Sequence, residues 1–115
     1  MVKVFRLNKP WGFFHQFTHN ELSTVKILTV NAHQQLSLQS HRNREELWIF
    51  IDDGLTAEVD NKRIQVQPYQ ELNIPAKTKH RLINDSDKPA RVLEISFGNF
   101  DENDIIRYED IYGRA

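Results

Sequence analysis

The sequence predicts an all-β chain folded as a single antiparallel unit, either a sandwich or a small closed barrel. Three observations carry this. Short β-branched or alternating segments recur at fairly even intervals, turn-forming residues separate them, and 115 residues supply one core but not two. The whole chain, residues 1–115, is therefore read as one domain.

In order, the strand candidates are Ser23 to Val30, Leu36 to Gln39, Glu46 to Ile51, Leu55 to Val59, Arg63 to Val66, Glu71 to Ile74, His80 to Ile83 and Arg91 to Phe97. Between them lie NAHQ, HRNRE, IDDG, DNK, QPYQ, PAKTK and NDSDKPA, each with Asn, Asp, Gly, Pro or clustered charge where a turn needs it. The tail DENDIIRYED, 101–110, offers one turn of helix with Asp101 and Asn103 as caps. Both a sandwich and a barrel cover strand edges, and composition does not choose between them.

Charge and cysteine content narrow the function classes. The formal net charge is -1, so no general attraction to nucleic acid or to an anionic membrane is encoded. There is no cysteine, which removes disulfides and thiolate ligands and leaves His, Asp, Glu and Gln for any metal. Lys3, Arg6 and Lys9 interrupt the start, and the longest apolar run is Leu47 to Ile51, too short for a signal or a membrane span. A cytoplasmic protein is expected.

Strand parity places Arg91, Leu93, Ile95 and Phe97 on one face and Val92, Glu94 and Ser96 on the other; Leu36 and Leu38 likewise oppose Ser37, Gln39 and His41. A polar, ionisable face lines either a cavity or the solvent. Gln39 and His41, two apart, leave the same face of a strand, and Glu46 returns after a turn short enough for a hairpin. His80, behind Pro75, offers a fourth ligand. Two imidazoles, a carboxylate and an amide oxygen suit a borderline divalent ion, zinc first, with manganese, iron, cobalt or nickel as alternatives. His15, His19 and His33 are read as ordinary surface histidines.

These residues match two known motifs. Gln39-x-His41 followed by four residues and Glu46, and Pro75 with His80 and Asn84 in P-x-x-x-x-H-x-x-x-N, resemble the paired motifs of cupins. With KPWG at 9–12, IPAKTKHRLIN at 74–84 and the ending DENDIIRYEDIYGR, they resemble the cupin domain of type II mannose-6-phosphate isomerases, which often follows a mannose-1-phosphate guanylyltransferase. The resemblance implies a small jelly-roll barrel holding one metal at Gln39, His41, Glu46 and His80. It also implies isomerisation of mannose 6-phosphate to fructose 6-phosphate. The family pattern Q-x-H-H-H-R-x-E-H-W is broken at three positions, where Arg42, Asn43 and Leu47 replace histidines. His33 and Lys77 stand where cupins commonly turn on glycine.

For the proton transfer, Glu94 is the candidate base, as a carboxylate on the polar side of an apolar strand. Arg44, matching the family arginine, is the candidate catalytic cation and joins Lys9, Trp11 and Arg107 as a substrate contact; Lys79, Arg81 and Arg114 are further cations, and Trp48 and Tyr108 further walls. The expected partners are a small sugar phosphate and a second copy of the chain in a homodimer. The rival is a binding module that keeps metal and sugar affinity without the chemistry.

Overall fold

The computed structural model describes residues 4–115. Its eleven strands are β1 (Phe5–Lys9), β2 (Gly12–Gln16), β3 (Ser23–Val30), β4 (Leu38–Ser40), β5 (Glu46–Phe50), β6 (Leu55–Val59), β7 (Lys62–Gln65), β8 (Glu71–Ile74), β9 (His80–Asn84), β10 (Ala90–Phe97) and β11 (Ile106–Glu109). No helix occurs among the described residues. The expected helical turn near 101–110 is instead a short turn in which Asp101 Oδ1 accepts the Asn103 N–H, followed by β11. An Asp side chain that satisfies the backbone two residues on favours a turn over a helix. The strands β1 and β2 have no counterpart in the sequence reading, because their charges mask the alternation.

All strand pairs are antiparallel and form a four-stranded sheet, β3-β10-β5-β8, a five-stranded sheet, β11-β4-β9-β6-β7, and the separate β1–β2 hairpin. Each large sheet keeps two edges. The architecture is thus a jelly-roll sandwich, and the hydrogen-bonding ladder does not close into a barrel among the described residues. That corrects the closed barrel: two opposed sheets enclose the same interior without continuous pairing.

Directly opposed residues of antiparallel strands share a face, so the registers show what each sheet turns inward. The four-stranded sheet presents Trp48 and Phe50 with Val92 and Val30, and the five-stranded sheet presents Leu55, Ala57 and Leu82. These residues form one buried core with Ile74, Val66 and Ala90. The outer face of the five-stranded sheet is ionic: Arg81 and Arg63 both reach Glu58, at 3.2 and 3.0 Å. The outer face of the four-stranded sheet is apolar, with Leu47, Ile49 and Ile95 packed against Val4, Phe17, Leu93 and Phe97.

Asn84 fastens one end of the sandwich. Its side chain is fully buried; Nδ2 donates to the carbonyls of Val30 and Lys88, and Oδ1 accepts from the N–H and hydroxyl of Ser86. A buried amide with every group satisfied locks β9 to the end of β3 and so fixes the strand that starts at His80. His33 and Lys77 adopt φ of 60° and 68°, the left-handed conformation that glycine would take freely. The turn shape survives there at a modest local cost.

Candidate metal centre

Toward the other end of the sandwich the interior becomes polar. Glu46 sits two residues before Trp48, on the same inward face of β5, and is 1% exposed. His41 follows β4 and His80 opens β9, so each imidazole hangs from the opposite sheet toward the Glu46 carboxylate. His41 Nε2 lies 3.6 Å from Glu46 Oε2, and His80 Nε2 lies 3.6 Å from Glu46 Oε1. The two rings are 5.0 Å apart, and Trp48 packs edge-on to His80 at 5.4 Å.

Backbone carbonyls fix both tautomers. His41 Nδ1 donates to the Asp104 carbonyl at 2.6 Å and His80 Nδ1 donates to the Thr78 carbonyl at 2.8 Å. A carbonyl only accepts, so each Nδ1 carries the proton and each Nε2 keeps its lone pair, that of His80 without a partner and that of His41 accepting from Arg44 Nη2. This is the outer support expected around histidine ligands. Burial pushes both imidazole pKa values down, with the backbone bonds and the Glu46 charge acting against it. Neutral rings are the ligating form.

One ligating atom from each of His41, Glu46 and His80 lies within 4.8 Å of the others. Glu46 Oε1 and His80 Nε2 are buried without a hydrogen-bond partner. Unpaired acceptors in a dry interior are costly, and two acceptors facing each other cannot satisfy one another. A divalent cation resolves this, so the donor set fits the ion the motifs imply. Gln39 is half-buried and directly opposite His80 on β9 and Arg107 on β11, so all three leave the same face in one row across the sheet. Arg107 Nε is buried without a partner.

Arg44 occupies the edge of this group. Its Nε donates to Glu46 Oε2 at 2.9 Å, Nη2 donates to His41 Nε2 at 3.0 Å, and Nη1 donates to the Asp101 carbonyl at 3.3 Å. On the other side stands Glu94, directly opposite Trp48 on β5 and Lys26 on β3. It is 8% exposed, and its pKa is pushed up to about 7 by burial and by the Glu46 charge. Arg44, Lys26 and, least, the Trp48 indole offset this; the indole nitrogen remains outside hydrogen-bond geometry.

The loop before β11 covers the centre. The Asp104 carboxylate accepts the N–H groups of Arg42 and Asn43 at 2.8 and 2.9 Å, which holds its pKa down, while its carbonyl receives His41. Asp104, Thr78 and Lys26 were not legible as site residues. Only the family-like ending DENDIIRYED pointed at this loop.

Other expected contacts lie elsewhere. Lys9 ends β1 and Trp11, 73% exposed, sits at the turn of the hairpin. That hairpin lies by the outer face of the four-stranded sheet, where Arg6, Phe13 and His15 border Ile49 and His15 pairs with Glu71. The structure does not bring Lys9 or Trp11 to the centre, because β1–β2 folds outside the sandwich. Arg81 is held by Glu58 and Glu109, Arg114 by Asp110, and Lys79 lies over the Tyr108 ring. Tyr108 itself bonds Ser40. His33 pairs with exposed Asp87 and His19 with Gln16 and Asn20, both away from the centre.

The family model described as Mannose-6-phosphate isomerase C-terminal matches residues 2–110. The chain belongs to this family. Curated relatives of this mannose-6-phosphate isomerase C-terminal domain include the alginate biosynthesis protein AlgA of Pseudomonas aeruginosa, 35% identical over 93% of this chain and 22% of that protein. The xanthan biosynthesis protein XanB of Xanthomonas campestris is 36% identical over 98% of this chain and 24% of its own length. The chain thus spans about a quarter of the relatives it matches. Among solved structures, a cupin protein of Bacteroides fragilis superposes with a TM-score of 0.60 at 23% identity, covering 69% of this chain and 70% of that one. The capsular polysaccharide assembling protein CapF of Staphylococcus aureus gives 0.70 at 14% identity, over 94% of this chain and 35% of its own. These establish the cupin fold of this family member.

Proposed function

We propose that the chain acts as one cupin unit that binds a single divalent ion, zinc first among zinc, manganese, iron, cobalt and nickel, through Gln39, His41, Glu46 and His80. There it isomerises mannose 6-phosphate to fructose 6-phosphate. The observation that carries the proposal is the pair of orphaned acceptors, Glu46 Oε1 and His80 Nε2, beside a carboxylate with a pKa near neutrality.

Converting the aldose to the ketose moves one proton from carbon 2 to carbon 1 and a second from the carbon-2 hydroxyl to the carbon-1 oxygen. A bound divalent ion supplies polarisation of the carbonyl and stabilises the developing oxyanion. Glu94, ionised in part near pH 7, takes the carbon-2 proton and returns it to carbon 1 on the same carboxylate oxygen. Its burial beside Trp48 and Lys26 on the neighbouring strands limits exchange of this proton with water. Arg44 holds the Glu46 carboxylate in place and offers a second cation to the substrate; Arg107 faces the same interior. Asn43 is exposed, and its backbone N–H donates to the Asp104 carboxylate. A homodimer through the apolar outer face, where Val25 and Ile27 stand exposed, belongs to the same reading.

The test is direct. Protein loaded in turn with each metal is incubated with mannose 6-phosphate, and fructose 6-phosphate is followed by carbon NMR. Turnover that chelation abolishes supports the isomerase. Binding of mannose 6-phosphate without product under every metal would instead leave a sugar-phosphate binding module.

A further inference from the structure

Two cations converge on one aromatic ring at the rim of the centre. Lys26 Nζ lies 4.0 Å from the centroid of the Phe100 ring, and Arg44 Cζ lies 4.6 Å from the same centroid. Lys26 stands opposite Glu94 on the inward face, and its four-carbon stem carries the ammonium from that row out to the rim. Among the described residues Lys26 has neither an ion pair nor a hydrogen bond. Phe100 is half-buried and precedes Asp101, whose carbonyl holds Arg44.

A ring face attracts a cation weakly compared with a phosphate dianion, which offers full charge and charge-assisted hydrogen bonds. A structural role for Lys26 would favour a carboxylate partner, and Glu94 is within reach across the strands. The ammonium is directed past it. We propose that Lys26 and Arg44 form the clamp for the phosphate of the substrate, and that Phe100 occupies both cations until the phosphate displaces it. The proposal rests on the sugar-phosphate reading of the same centre and adds to it a residue, Lys26, and an order of events. Phosphate at the rim leaves the carbon chain to extend inward toward Glu94 and the histidines, which orients carbons 1 and 2 at the deep end. Unphosphorylated mannose lacks the group that releases the ring.

Calorimetric titration of the metal-loaded protein with mannose 6-phosphate, mannose and inorganic phosphate tests this without relying on turnover. Lys26→Met is expected to weaken mannose 6-phosphate and inorganic phosphate by about tenfold to a hundredfold, the scale of one lost charge-assisted bond. Mannose binding and metal content should stay unchanged. Lys26→Arg should recover most of the loss, which separates charge from packing, and Phe100→Ala should bind inorganic phosphate at least as tightly as the wild type. Lys26→Met binding both phosphate ligands as the wild type does, or a wild type that binds neither, overturns the clamp. A chain that binds through Lys26 but never forms fructose 6-phosphate sinks the isomerase and leaves the clamp standing.

Discussion

Replacing Glu94 with glutamine tests the base on two independent readouts. The carboxyl is 8% exposed and faces Glu46, and its pKa rises from the ordinary 4.5 to about 7. Each pKa unit corresponds to about 1.4 kcal/mol, so the shift is worth about 3 kcal/mol. The sign follows from proton linkage: between pH 4.5 and 7 the folded chain holds a proton that the unfolded chain releases. The stability from this group is present below 4.5 and is lost as pH rises through 7. Urea unfolding of the metal-free wild type and Glu94→Gln at pH 5 and pH 8 should show the variant gaining about 3 kcal/mol on the wild type across that span. The histidines titrate alike in both proteins and cancel. In turnover, Glu94→Gln should lower kcat by about 10²- to 10⁴-fold. An equal stability difference at the two pH values, together with near-normal kcat, would refute a buried, proton-carrying Glu94.

Two further outcomes concern the support of the histidines. Asp104→Ala removes the carboxylate that holds the Arg42 and Asn43 N–H groups, loosening the loop whose carbonyl orients His41; metal affinity measured by competition with a chelator should fall about tenfold or more. Burial lowers the pKa of His41 and His80, so their stabilising contribution is present above about 6.5 and is lost as pH falls through their depressed values. Protons compete for the same nitrogens as the ion. Chelator titrations should therefore show metal affinity falling on acidification below about 6.5, as pH passes through the depressed values, and a profile that stays flat there would remove the histidines from the ligand set.

How far the sequence revealed this molecule depended on whether local pattern or tertiary contact set each feature. Strands β3, β6 and β8 fall on the residues expected, because alternation and turn chemistry are local signals. Parity grouped Val92, Glu94 and Ser96 on one face of β10 but left open whether that face lines the interior, because the opposite face, with Leu93, Ile95 and Phe97, is the more apolar of the two. The hairpin β1–β2 was hidden by Arg6, Lys9 and His15, whose polar side chains are accommodated because the hairpin lies outside the core. For the same reason Lys9 and Trp11, chosen from a motif, lie away from the centre. His41, Glu46 and His80 could be grouped from spacing and resemblance, since a hairpin and one further strand suffice to bring them together. Asp104 and Lys26 could not, because one acts through the turn at 42–43 and the other through a cross-strand register that only the folded sheet defines.

As proposed, His41, Glu46 and His80 close on one ion. Chelator-stripped protein titrated with zinc and with manganese, with bound metal counted by mass spectrometry of the intact chain, measures this most directly. The expected result is one ion per chain in the wild type and none retained by His80→Ala or Glu46→Gln, both still folded by circular dichroism. Metal retained unchanged in both variants, or a wild type that takes up none, would contradict it.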